Sequence, residues 1–169
     1  MKLYMTRSVS AGTTVFLVHD ETGNHCASVR SLSGLLSDGF QLLGTFSGQT
    51  VVLYGTQTRL PHGRRFVITE GAQKRARVFL LPNDTVSSIR IDRTACTVLG
   101  QPLSGTYSLV GDNHAPIFCQ QRQRRSGTTV TYELDIVRED AAAVCVAIAA
   151  CLNQKITAAR SVFTPVPAD

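Results

Sequence analysis

The chain has 169 residues, 43% of them apolar and 17% charged, enough to bury the core of one domain without disulfides or a structural metal. That balance excludes long disordered or coiled-coil stretches. Formal net charge is +5, and residues 39–83 alone account for it: Arg59, Arg64, Arg65, Lys74, Arg75 and Arg77 stand against Glu70. Attraction to an anionic partner is therefore a regional property.

The N-terminal stretch MKLYMTRSVSAGTTVFLV has no apolar run longer than Val15–Val18, too short for the core of a secretion signal. Cys26, Cys96, Cys119, Cys145 and Cys151 are odd in number and scattered, which predicts free, mostly buried thiols in a reducing, cytoplasmic compartment.

From Leu3 to Val137 short runs of Val, Ile, Leu, Thr, Phe and Tyr alternate with Gly, Asp, Asn or Pro, the spacing of strands and turns. The predicted strands are Thr14–His19, Cys26–Leu32, Gly39–Phe46, Thr50–Thr56, Arg64–Thr69, Arg75–Leu81, Ser87–Asp92, Thr97–Leu99, Thr106–Val110, Ile117–Gln121 and Thr129–Val137. Asp20-Glu21-Thr22-Gly23-Asn24 and Gly111-Asp112-Asn113 supply residues that tolerate positive φ or bond their own backbone, as hairpin loops require. Ser47-Gly48-Gln49 and Glu70-Gly71-Ala72-Gln73 read the same way, predicting a largely antiparallel meander. FLVHDETGNHCASV and YSLVGDNHAPIFCQ repeat one strand, turn, strand order, the mark of a duplicated hairpin.

After Glu139-Asp140 come twelve apolar residues, Ala141–Leu152 (AAAVCVAIAACL), then Asn153-Gln154-Lys155. Acid before the run and lysine after it suit a helix. Twelve residues make a rod of roughly 18 Å, short of the roughly 30 Å of a bilayer's hydrocarbon core. A helix apolar on all sides must be buried on all sides, and six alanines and two cysteines among the twelve demand a close sleeve. A closed β-barrel supplies one and removes exposed strand edges. The predicted organisation is a single domain over 1–156 with a helix over 139–154, then a tail over 157–169.

FLVHDETGNHCASVRS, GTYSLVGDNHAPIFCQQRQR and YELDIVREDAAAVCVAIAACLNQ, in that order and in a chain of this length, resemble the tubby-like superfamily and, within it, the LURP-one-related proteins. The resemblance implies a mainly β fold, a closed antiparallel β-barrel of about twelve strands enclosing a hydrophobic C-terminal α-helix. The acidic residue that the resemblance leads one to expect after the helix is Asn153 here.

The candidate site is the basic stretch. Arg64, Arg65, Lys74, Arg75 and Arg77 flank the turn at Glu70–Gln73 and so fall on two paired strands, where arginine grips phosphate oxygens with its planar fork and lysine acts as a point charge. Arg75 and Arg77 share parity with Phe79 and Leu81, one of which is expected to face the core. The plainer reading is a row of solvated side chains whose stems cover apolar surface. Arg122, Arg124 and Arg125, before Ser126-Gly127, read as an exposed loop or an extension of the same patch. The superfamily includes barrels that bind phosphoinositide headgroups through basic side chains on neighbouring strands, so the resemblance implies anionic phospholipids, at a peripheral membrane surface, as partner. A protein-interaction or signalling scaffold is the alternative.

GTFSGQT lacks the lysine and spacing of a phosphate-binding loop, and neither His-Glu-x-x-His nor Gly-x-Ser-x-Gly occurs, so no enzyme motif is present. His19, His25, His62 and His114 never pair with Cys or carboxylates at zinc spacing; no metal or cofactor is expected. With no tryptophan and no aromatic run among the basic residues, stacking platforms for nucleic acid are missing.

Overall fold

The computed structural model describes residues 1–10, 13–33, 38–83, 85–111 and 113–161, without the side chains of 9, 10, 13–15, 33, 38, 103 and 154–161. Twelve strands run β1 (Lys2–Ser10), β2 (Thr13–Asp20), β3 (His25–Ser33), β4 (Asp38–Phe46), β5 (Gln49–Leu60), β6 (Gly63–Glu70), β7 (Gln73–Leu80), β8 (Val86–Ile91), β9 (Thr94–Gln101), β10 (Thr106–Val110), β11 (Pro116–Ser126) and β12 (Thr129–Ile136). Each pairs antiparallel with its chain neighbours, and β1 pairs with β12 to close the barrel. The wall is thus an uninterrupted meander, as the turn chemistry predicts.

One strand escapes the sequence reading. β1 has the period-2 signature, with Leu3 and Met5 buried between the more exposed Tyr4 and Thr6, but only two apolar residues carry it. Its partner β12 is opposed from Lys2↔Asp135 to Thr6↔Thr131, so the least conspicuous strand makes the closure.

A 3₁₀ turn over Glu139–Ala141 leads into helix α1 (Ala142–Ser161). Every residue from Ala141 to Asn153 is buried, as a helix apolar all round requires. The helix continues past the predicted end at 154, so 157–161, predicted as tail, are helical; the remainder of that predicted tail lies outside the described residues. Among the described residues no helix is long and apolar enough to cross a membrane. The lead-in is pinned by Arg138, which pairs with Asp140 and lies over the Phe118 ring at 5.1 Å. That bond to Arg138 holds the Asp140 carboxyl below its ordinary value.

The lumen is filled by alternate residues. Phe66 and Ile68 of β6 and Ala76, Val78 and Leu80 of β7 are buried, so on β7 the even positions face the helix. Neither Phe79 nor Leu81 does: Phe79 is half-buried opposite the exposed Arg65 and Ser88, and Leu81 is exposed. The reason is that Ala76, Val78 and Leu80 already fill the lumen side of β7 in unbroken alternation, so Phe79 falls on the outer face with Arg77. The bulge between Ile68 and Thr69 affects only the Lys74–Arg75 end of the strand. Space for the helix also depends on Gly55, opposite Phe40: a Cβ there would stand 2.0 Å from the Phe40 ring.

A pair of amide side chains is sealed in this core. Gln121 of β11 and Asn153 of α1 exchange two amide hydrogen bonds, Gln121 Nε2 to Asn153 Oδ1 at 3.3 Å and Asn153 Nδ2 to Gln121 Oε1 at 3.1 Å. Gln121 Nε2 also donates to the Gly105 carbonyl at 2.9 Å. Buried amides must be paired, so this pair fixes both the rotation and the depth of the helix. The four buried cysteines, Cys96, Cys119, Cys145 and Cys151, are free, as is the half-buried Cys26. The neighbouring Cys119 and burial push the Cys145 thiol well up.

The duplicated hairpin is a structural fact. The Asp20 amide donates to the Asn24 carbonyl at 3.0 Å and Gly23 to the Asp20 carbonyl at 3.1 Å; Gly111 donates to Ala115 at 3.1 Å and His114 to Gly111 at 3.0 Å. Gly23 and His114 both take positive φ, 84° and 59°. Asp112 of the second predicted turn lies outside the described residues.

Candidate functional site

The strand register decides which basic side chains meet. Arg77 of β7 stands directly opposite Arg90 of β8 and Val67 of β6, on the outer face because the flanking pairs Ala76↔Ile91 and Val78↔Ile89 are buried in the lumen. Directly opposed residues lie about 4.5–5.5 Å apart at Cβ, and like charges there repel. Lys74, exposed opposite Thr69 across the bulge, and Arg93, in the Asp92-Arg93 turn, share a hollow of about 170 Å³ with Arg77, Arg90, Ala76 and Asp92. Arg65 is exposed and opposes Phe79, one diagonal step of about 7–8 Å from Arg77.

Two of the five residues singled out in the sequence stand differently. Arg75 lies in the bulge and binds Glu70 through one guanidinium nitrogen and Asp92 Oδ1 through Nε at 2.9 Å. Its partial burial works against the charge, but the hydrogen bonds to Asp92 and Glu70 outweigh it and hold the guanidinium more firmly protonated. Arg75 is therefore an internally neutralised brace for the β6–β7 and β8–β9 turns. Arg64 shares parity with the buried Phe66 and Ile68 and is half-buried opposite Arg59 and Leu80, toward the other end of the barrel. Among the described residues Lys74, Arg77, Arg90 and Arg93 have no carboxylate within 4.0 Å.

Arg122, Arg124 and Arg125 are strand residues, because β11 runs to Ser126. They lie three strands round the wall from β8, on the order of 14 Å at the usual spacing of neighbouring strands. Arg124 is paired with the buried Glu133 at 2.6 Å. Sequence reasoning missed Arg90 and Arg93. Their signal was the Arg-Ile-Asp-Arg run across a tight turn, whose meaning appears only once β7 and β8 are set in register.

Along the same wall β8 and β9 are opposed at only three positions, Ile89↔Cys96, Arg90↔Ala95 and Ile91↔Thr94, against eight between β4 and β5. Beyond Ile89 and Cys96 the two strands part, and a groove of about 410 Å³ opens between Val86–Ser88 and Thr97–Val98, with Arg77 and Arg90 at its closed end. Burial pushes the thiol of Cys96, which lines this groove, up to about 11, so it is inert near neutral pH. A second groove of about 440 Å³ lies over β3 and β4, lined by residues including Arg30, Gln41 and Leu43, and carries one arginine. Among the described residues no group of three or more His, Cys, Asp or Glu is placed to hold a metal ion.

A closed twelve-stranded antiparallel barrel enclosing a C-terminal helix is consistent with the fold of the tubby-like superfamily in general. No family model matches the chain, nor does any curated protein or solved structure.

Proposed function

We propose that this chain is a non-enzymatic cytoplasmic binding module, of the LURP-one-related kind, whose outer wall at β6–β8 docks the phosphate-bearing headgroups of anionic phospholipids at a membrane surface. The observation that carries the reading is Arg77 set directly against Arg90 with Lys74 and Arg93 around one hollow. Among the described residues none of the four cations has a carboxylate within 4.0 Å, the Asp92 carboxylate in the same hollow being held by Arg75. They repel one another until an anion bridges them, and two opposed guanidinium forks match phosphate oxygens. Relative to the stretch named from sequence, the site keeps Lys74, Arg77 and, at its margin, Arg65. It gains Arg90 and Arg93, and leaves Arg75 as its brace.

Basic residues near an anionic surface contribute about 1 kcal/mol each, so Arg77→Gln/Arg90→Gln weakens association with phosphoinositide-containing vesicles roughly 30-fold. Arg122→Gln/Arg125→Gln removes the same charge and leaves most of the affinity. Co-sedimentation with vesicles of phosphatidylcholine alone, with phosphatidylserine and with phosphoinositide reads both, and binding falls as salt rises. Equal loss from the two double variants, or no binding of the wild type to any vesicle, removes the headgroup reading.

A further inference from the structure

We infer that the parted seam between β8 and β9 is a docking slot for an extended, acidic segment of a partner protein, which adds to the wall as a strand. A closed barrel ordinarily leaves no free edge. Here β8 is paired over Phe79↔Ser88 and Leu80↔Val86 on its β7 side, and β9 from Thr97↔Val110 to Gln101↔Thr106 on its β10 side. Between them the opposed pairs stop at Ile89↔Cys96, with Val86–Ser88 and Thr97–Val98 lining the groove without opposed partners across it. Two backbone edges therefore face the same groove.

At about 3.3 Å per residue the free stretch of β8 offers roughly 10 Å and that of β9 roughly 17 Å, a length for three to five residues. The groove's volume, about 410 Å³, falls in the range of sites that enclose a ligand. A row of alternating amide donors and carbonyl acceptors is matched by another peptide backbone, the mode of strand addition, and by no lipid headgroup. Ser87, Ser88, Thr97 and the half-buried Val86 and Val98 line the opening, accepting small or β-branched side chains. Arg77 and Arg90 close one end, and that charge selects an occupant with a carboxylate or phosphate there. The slot shares these two arginines with the headgroup site but stands on backbone pairing, which that reading does not need.

The test pans a random heptapeptide library against the whole chain, then measures amide hydrogen exchange with the enriched peptides made synthetically. The expected peptides alternate β-branched residues and carry Asp or Glu toward one end. They slow exchange at 86–88 and 97–101, and lose at least about tenfold in affinity when every second backbone nitrogen is methylated, which removes donors and leaves the side chains. Arg77→Gln/Arg90→Gln, or Lys in place of the acidic residue, costs about tenfold as well. Failure to enrich any sequence, protection confined to other strands, or full binding by the methylated peptides overturns strand addition. Binding indifferent to both charge changes overturns the acidic partner.

Discussion

Around the helix every side chain from Ala141 to Asn153 is buried and even a methyl group at Gly55 would strike a ring, whereas the β8–β9 wall parts after three opposed pairs. Both regions belong to one meander, so the contrast is not one of fold. It comes from what each sequence stretch must satisfy. The lumen has to close on a slim helix and spends its small residues doing so. The seam has only to complete the ring, and Ser87, Ser88, Thr97 and Leu99 there stay exposed. Tight packing is spent where the helix sits, and slack is left where a partner can enter.

The largest effect that separates the two regions is a charge. Ala147 is fully buried, and a carboxylate there has no partner, a cost of at least about 4–5 kcal/mol. Against a total stability on the order of 5–15 kcal/mol, Ala147→Asp lowers Tm by roughly 10–20 °C or leaves no cooperative transition by circular dichroism. Ser88→Asp, on the exposed seam, changes stability by no more than about 0.5 kcal/mol. Comparable losses from both would erase the distinction between lumen and seam.

A smaller effect tests whether the lumen is specified as well as filled. Asn153→Leu deprives Gln121 of both amide bonds across the helix–wall contact, and an abandoned buried polar atom costs about 1–3 kcal/mol. Gln121→Leu in the same chain recovers part of that loss, though the Gly105 carbonyl then loses its donor. Denaturant titration of the two single variants and the double one forms the cycle. An Asn153→Leu protein as stable as the wild type would mean that shape alone seats the helix.

Much of the lumen was legible in the sequence because its cause is compositional. Ala141–Leu152 is apolar on every side, so it needs a sleeve, and Asp20–Asn24 or Ser47–Gln49 carry their turn geometry in their own residues. β1 was missed since Leu3 and Met5 alone mark its inner face. The candidate site was half legible for a different reason: the positions of Arg64, Arg65, Lys74, Arg75 and Arg77 were visible, but their neighbours are a matter of register. A slip of one residue exchanges the faces of a strand, and the bulge between Ile68 and Thr69 lies inside the stretch concerned. Arg90 joins Arg77, and Asp92 captures Arg75, only across that register. Arg64 was the exception, since its parity with Phe66 and Ile68 already pointed inward.

The smallest effect concerns two aspartates at hairpin turns on the same end of the barrel. Asp20 turns on its own loop: its Oδ1 accepts from the Thr22 hydroxyl at 2.7 Å, the Thr22 amide at 2.8 Å and the Asn24 amide at 2.9 Å. Led by the Thr22 hydroxyl bond, these contacts lower its pKa to about 2 from an ordinary 3.8. Asp92 instead leaves its turn for Arg75, so the β8–β9 hairpin beside the seam is braced from outside. Since the folded pKa of Asp20 lies below the unfolded one, the unfolded chain takes up the proton first as pH falls. The stabilisation from Asp20 is complete above about pH 4 and fades toward pH 2. Chemical denaturation at a series of pH values should show Asp20→Asn losing that part of the acid slope, and carboxyl NMR titration should place Asp20 near the lower value. An Asp20 that titrates near 3.8 would show that the side-chain bonds do not hold the β2–β3 loop, and that it is no more self-sufficient than the turn beside the seam.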